Sequence, residues 1–142
     1  MKSMTDNNTK STVVSGWEAR SLVQERKLFR NNSKTGNGPK YSTLWGEWLG
    51  DLYVVYSYGR HWPLWINWKG VWFGNIDRYG RTTTKHFSQT HPLTGYVPMS
   101  KLEMEHFVLF GQPEESALVE AAQLKLLPDE LVPLAVKARI AA

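Results

Sequence analysis

The chain reads as an α+β domain: a small antiparallel β-meander of three to four strands, an N-terminal helix and a C-terminal helical hairpin. Three observations predict it. Runs of β-branched and aromatic residues, separated by glycine-containing turns, fill the middle of the chain from about residue 52 to 90. Helix start and stop signals gather from about 100 to 141. An apolar stripe at helical spacing precedes both. With 142 residues, 42% hydrophobic and 21% charged, the chain can bury one core of ordinary globular type.

Taken in order, residues 1–16 are rich in Asn, Thr, Ser and Lys and read as a disordered tail, which leaves 17–142 as a single domain. No secretory apolar segment opens the sequence. The longest apolar runs fall far short of the ~18–20 residues of a membrane span. The expectation is a cytoplasmic protein with no membrane partner. Absence of cysteine excludes disulfides, thiolate metal sites and cysteine nucleophiles, and fits a reducing compartment.

From Trp17 to Arg30 a helix is expected, with Leu22, Val23, Leu28 and Phe29 inward and Glu25, Arg26 and Lys27 outward. Asn31 to Pro39 is a loop by its turn residues. It lacks the Gly-Lys-Ser/Thr ending of a Walker motif, and is either a plain connection or an anion-contacting loop. Tyr41 to Leu49 fits a strand or a short helix. Leu52 to Tyr58 is a strand, and Gly59-Arg60-His61 turns the chain. Leu64 to Trp68 and Val71 to Ile76 flank Lys69-Gly70, a tight hairpin turn in which Gly supplies positive φ. Asp77-Arg78-Tyr79-Gly80 is the next turn and Thr82 to Phe87 the next strand. Ser100 and Glu103 form a capping box, and Gly111 closes that helix. Pro113-Glu114-Glu115 opens the first helix of the hairpin, with Leu118, Val119, Ala122 and Leu126 on one face. Pro128-Asp129-Glu130 opens the second, with Leu131, Leu134 and Ile140 set to pack on it.

Function is written less plainly. Six of the seven tryptophans lie between residues 41 and 72, more rings than one small core readily hides, so some should meet solvent. Alternation puts Leu64, Ile66 and Trp68 on one sheet face, and Trp65 and Asn67 on the other. The sheet is then either covered on both sides or open as an aromatic platform. Net charge is +4, and it is unevenly spread: residues 1–100 carry 13 Lys/Arg against 6 Asp/Glu, and the remainder 4 against 7. A basic, ring-rich body is the composition used on single-stranded nucleic acid, although an ordinary solvated surface can carry the same charge.

The candidate site follows. Arg60, Lys69, Arg78, Arg81 and Lys85 would contact phosphates, Trp62, Trp65 or Tyr79 would stack, and His61 and His86 would add polar contacts. On a strand, Thr82, Thr84, His86 and Ser88 share one face: a polar ladder for a ligand, or simply a solvated face. His86 and His91, with Asp77 or His61, are the only group with acid–base or metal potential. Their spacing matches no strong ligand pattern, so no metal and no cofactor is assigned. Ser88 beside His86 lacks an orienting acid and an oxyanion turn.

The segments Tyr56-Ser57-Tyr58-Gly59, Asn75-Ile76-Asp77-Arg78-Tyr79 and Thr82-Thr83-Thr84-Lys85-His86-Phe87-Ser88-Gln89 resemble a pattern in small uncharacterised proteins of bacteriophages and other mobile elements. It covers about residues 52–93. The resemblance implies a phage or plasmid origin, hence a host-cell cytoplasmic location, and implies no catalytic residues. The expected function is a non-enzymatic nucleic-acid-binding accessory protein. The alternatives are a protein-binding inhibitor of a host defence or replication factor, and a His86/Asp77-dependent hydrolase or nuclease.

Overall fold

The computed structural model describes residues 11–141, with side chains to Lys137. Seven strands form one sheet whose spatial order equals chain order: β1 Thr12–Val13, β2 Phe29–Arg30, β3 Leu44–Leu49, β4 Leu52–Ser57, β5 Pro63–Trp68, β6 Val71–Asn75 and β7 Val97–Met99. From β2 to β6 neighbours run antiparallel; the outer pairs β1/β2 and β6/β7 are parallel. Five α-helices occur among the described residues: α1 Ala19–Gln24, α2 Arg81–Gln89, α3 Lys101–Phe110, α4 Glu115–Gln123 and α5 Val132–Ala141. The general α+β character stands. The expected three-to-four-strand meander with one N-terminal helix and a C-terminal hairpin does not.

The physical reason lies in the two parallel pairs. Parallel neighbours cannot be joined by a tight turn, so each needs a crossover. α1 lies between β1 and β2, and α2 between β6 and β7. The segment expected as the strand Thr82–Phe87 is therefore helical. Thr83, His86, Phe87 and Thr90 are buried at spacings of three and four, whereas Thr82, Thr84, Lys85 and Ser88 are exposed. The threonines that favour a strand by propensity act here as caps. The Gly80 amide donates to Thr83 Oγ1 at 3.0 Å, and Thr84 Oγ1 donates to the Gly80 carbonyl at 2.9 Å.

The N-terminal helix is shorter than expected. A 3-10 turn at Gly16–Glu18 leads into α1. Arg26 then takes φ 55, and the Lys27 amide donates to the Leu22 carbonyl at 2.8 Å. That left-handed stop releases the chain into β2 at Phe29. Of the segment read as a tail, residues 1–10 lie outside the described residues, and Thr12–Val13 pairs with β2. Tyr41 to Leu49 resolves into a 3-10 turn at Pro39–Tyr41 and then β3.

The C-terminal end holds three helices, α3, α4 and α5, rather than a hairpin alone. The Ser100–Glu103 capping box forms, and Gly111 closes α3 at φ 75. In α5, Ala135 rather than Leu134 turns inward. Ile140 lies outside the described side chains.

Both sheet faces are covered. One face packs Trp45, Val54, Tyr56, Ile66, Trp68 and Phe73 under α3, α4 and the start of α5. The other packs Tyr53, Val55, Leu64, Trp65 and Trp72 under α1 and α2. Leu64 is on the side opposite to that expected from simple alternation. Val55 pairs with Trp65 and Tyr56 with Pro63, which leaves Leu64 as an extra residue in β5. A bulge of this kind puts two successive side chains on one face. The Lys69-Gly70 hairpin forms as expected, with φ of 51 and 87.

Candidate nucleic-acid interface

One end of the sheet collects most of the candidate residues. The chain leaves β4 at Ser57, turns through Arg60, His61 and Trp62, and enters β5 at Pro63. β6 ends beside that turn, where Asn75 Nδ2 donates to the Pro63 carbonyl at 2.8 Å. Asn75 Oδ1 also accepts the Asp77 amide at 2.9 Å. This fully buried asparagine thus starts the exposed loop Ile76–Gly80 in a defined direction. Asp77 Oδ2 in turn accepts the Lys101 amide at 2.9 Å and ties the loop to the start of α3.

Tyr79 stands out from this end, 79% exposed. Its ring lies 5.5 Å from that of Trp62, which is itself buried. Arg78, Arg81 and Lys85, close to it along the chain, are also exposed. Arg81 and Lys85, four apart on α2, share a helix face. The Arg78 guanidinium lies 4.9 Å from the Phe87 ring centroid and donates to the Ile76 carbonyl at 3.1 Å, which limits its swing. Arg60 is exposed but engaged: Nε and Nη2 donate to Glu47 at 3.1 and 2.8 Å. His61 is exposed at the tip of the same turn.

Three candidates are differently placed. Trp65 is fully buried and stacks on Phe87, so no ligand reaches its face. Lys69 occupies the β5–β6 turn, at the far end of a six-residue strand from Arg60, roughly 20 Å away at strand rise. His86 is buried against β4, its Nδ1 2.8 Å from Ser57 Oγ. Burial, with the charge of Lys85 adding to it, pushes the imidazole down to about 4, so it is neutral near pH 7. Ser57 is fully buried; this Ser–His pair joins α2 to the sheet and is nearly closed to solvent.

No hydrogen bond or ion pair joins His86 to Asp77, and no group of three His, Asp or Glu suited to a metal occurs among the described residues. His91 is half-buried, 4.6 Å from the Trp65 ring, and burial beside Arg20 holds its imidazole below the usual range. Ser88 lies on the exposed side of α2, away from His86. Among the described residues no helix is long and apolar enough to cross a membrane.

Sequence reasoning missed several participants. Ser57 gave no sign as partner to His86, since 29 residues separate them. Glu47 carried a usable signal: it is a lone acid inside the apolar run Trp45–Leu49. Its partner, Arg60, comes from the connection between β4 and β5. Tyr41, 68% exposed, was expected only as the start of a strand or short helix, and Lys40 beside it carried no expectation. No family model, curated protein or solved structure matches the chain.

Proposed function

We propose that the protein binds single-stranded nucleic acid through the Ile76–Gly80 loop and the first turns of α2, as a non-enzymatic accessory protein of a phage or other mobile element. The observation that carries this reading is the exposed Tyr79 ring, with exposed Arg78 and Arg81 close to it along the chain and Lys85 one turn further on. A ring face can stack on any base, and the flanking cations meet the phosphates. Asp77 is the only acid between residues 76 and 89, and its carboxylate is turned to the Lys101 amide. The mobile-element origin rests on the resemblance of residues 52–93.

Tryptophan fluorescence tests it, because Trp62 lies directly against Tyr79. Titration with single-stranded DNA, duplex DNA and RNA should give saturable quenching that weakens with salt. It should disappear when Arg78, Arg81 and Lys85 are neutralised together. No response well above micromolar ligand rejects the reading.

A second reading, an inhibitor that binds a host protein, is favoured by the outer side of α3. Leu102, Leu109 and Phe110 are all more than half exposed there, although the same helix already buries Met104 and Phe107. Apolar residues on both sides of a helix are unusual unless something covers the second. A stoichiometric complex that survives nuclease treatment of host lysate supports it. Loss of the complex with nuclease points back to nucleic acid.

A further inference from the structure

The loop read from sequence as a plain connection or an anion contact forms one wall of a cleft. Asn37, Gly38, Pro39 and Lys40 line it on one side and Arg60 on the other, around a volume of about 290 Å³. We propose that this cleft binds a phosphate group of a nucleotide or nucleic-acid strand. The identity of the phosphate carrier as nucleic acid rests on the function proposed above; the affinity of the cleft for phosphate does not.

The lining is chemically one-sided. It holds two cations, one carboxamide and no acid. Arg60 is fixed in place before any ligand arrives. Glu47, itself buried, takes Nε and Nη2, and the guanidinium carbon lies 5.5 Å from the Trp45 ring and 5.9 Å from the Tyr56 ring. Nη1 has no hydrogen-bond partner among the described residues, so its N–H groups are left for an acceptor. A cation already oriented by a buried carboxylate and two rings loses little freedom on binding an oxyanion. Neither Lys40 nor the Asn37 side chain makes a hydrogen bond or ion pair among the described residues.

The backbone is bent to make this wall. Lys40, Tyr41 and Tyr58 all adopt left-handed φ, at 55, 64 and 67. None is glycine, and such clusters of unfavourable conformation concentrate at ligand sites. The Asn37 amide donates to the Tyr58 carbonyl at 2.8 Å and the Gly38 amide to the Ser42 carbonyl at 3.0 Å, which lock the loop over β3 and β4. Gly38 sits so close to the sheet that a β-carbon there would strike the Trp45 ring and lie 2.6 Å from Ser42 Oγ. That hydroxyl is fully buried and has no hydrogen-bond partner among the described residues. The cleft is open to solvent rather than enclosed.

The test is amide NMR of the full chain at low ionic strength, titrated separately with inorganic phosphate and with a short deoxythymidine oligonucleotide. The amides of Asn37, Gly38 and Lys40 should shift saturably with both probes. Lys40→Gln removes one charge from an exposed side chain and should weaken both titrations at least 5-fold. Arg60→Gln should abolish the shifts; because Glu47 then loses its partner, Lys40→Gln is the deciding variant. Unmoved amides with both probes, or unchanged affinity in Lys40→Gln, would overturn the proposal. Oligonucleotide binding that survives Lys40→Gln but is lost on neutralising Arg78, Arg81 and Lys85 overturns the cleft and leaves the Tyr79 interface standing. Saturable shifts of these amides with phosphate and none with the oligonucleotide support the cleft as a phosphate site, exclude the nucleic-acid strand as its carrier, and leave the Tyr79 interface to be judged by the fluorescence titration.

Discussion

The Trp65 ring stacks on Phe87 at 4.3 Å between centroids and 22° between planes. One ring comes from the centre of the sheet and the other from the crossover helix, and Trp65 Nε1 also donates to the Phe87 carbonyl at 3.3 Å. The contact is part of the core, and it removes Trp65 from any ligand-binding role. Either ring cut back to alanine should destabilise the fold by about 3–5 kcal/mol, as large core truncations do. Urea unfolding measures it. A loss below about 1 kcal/mol for Trp65→Ala would contradict the packing described.

His86 sets a pH dependence. Its imidazole titrates near 4 in the folded chain and near 6.5 when unfolded. Between those values the unfolded chain binds the proton and the folded chain does not. The stabilisation is therefore complete above about pH 6.5 and is lost as pH falls toward 4. The half-buried His91 acts with the same sign. From pH 7.5 to 4.5 the loss attributable to His86 should be roughly 2–3 kcal/mol. His86→Gln should start weaker at pH 7.5 and lose less on acidification. Parallel pH curves for the two proteins would show that His86 is not the group responsible.

Asn75 connects fold to interface. Asn75→Ala leaves the buried Pro63 carbonyl and the Asp77 amide without their partners, at a cost of about 1–3 kcal/mol. Because that side chain starts the Tyr79 loop, ligand affinity should fall as well. Asn75→Asp keeps the acceptor for Asp77 and should preserve more of the loop than Asn75→Ala. Comparing binding of the two variants under conditions where both remain folded checks this.

Tyr79 should behave as a stacking residue. Tyr79→Ala is expected to weaken single-strand binding by about 1–3 kcal/mol, and Tyr79→Phe to leave it nearly intact. Neutralising Arg78, Arg81 and Lys85 together should flatten the slope of log affinity against log salt by up to about 2, at ~0.7 per phosphate contact. An unchanged slope places those charges outside the interface.

On the outer side of α3, Leu109→Ser with Phe110→Ser should change stability by less than about 0.5 kcal/mol each, because both side chains are largely exposed. The double variant should lose any protein partner while retaining nucleic-acid binding. Chemical denaturation and size-exclusion chromatography with the captured partner read the two effects separately.

Local chemistry made some elements legible without coordinates. The Lys69-Gly70 turn needs only two residues of positive φ between two apolar runs. The Ser100–Glu103 box and Gly111 act within a few residues of one another. Composition also foretold that some tryptophans would meet solvent, and Trp17 and Trp48 do. The ones singled out, Trp62 and Trp65, do not, because two helical layers cover the sheet and consume five of the seven rings. Hydrophobic composition sets how many rings are present; how many layers stack on the sheet sets how many are hidden.

The sequence by itself determined the antiparallel centre from Leu52 to Asn75, the capped helix after Ser100, and the basic character of the first hundred residues. Tertiary structure alone decided that the Thr82–Gln89 segment is a helix. Three successive threonines favour a strand by local preference, but the parallel pairing of Val97–Met99 with β6 requires a crossover, and burial of Thr83, His86 and Phe87 on the sheet outweighs that preference. It also decided that His86 meets Ser57 and that Arg60 meets Glu47. Those pairings arise only when segments distant in sequence close around shared cores, and nothing in the spacing of the residues encodes them.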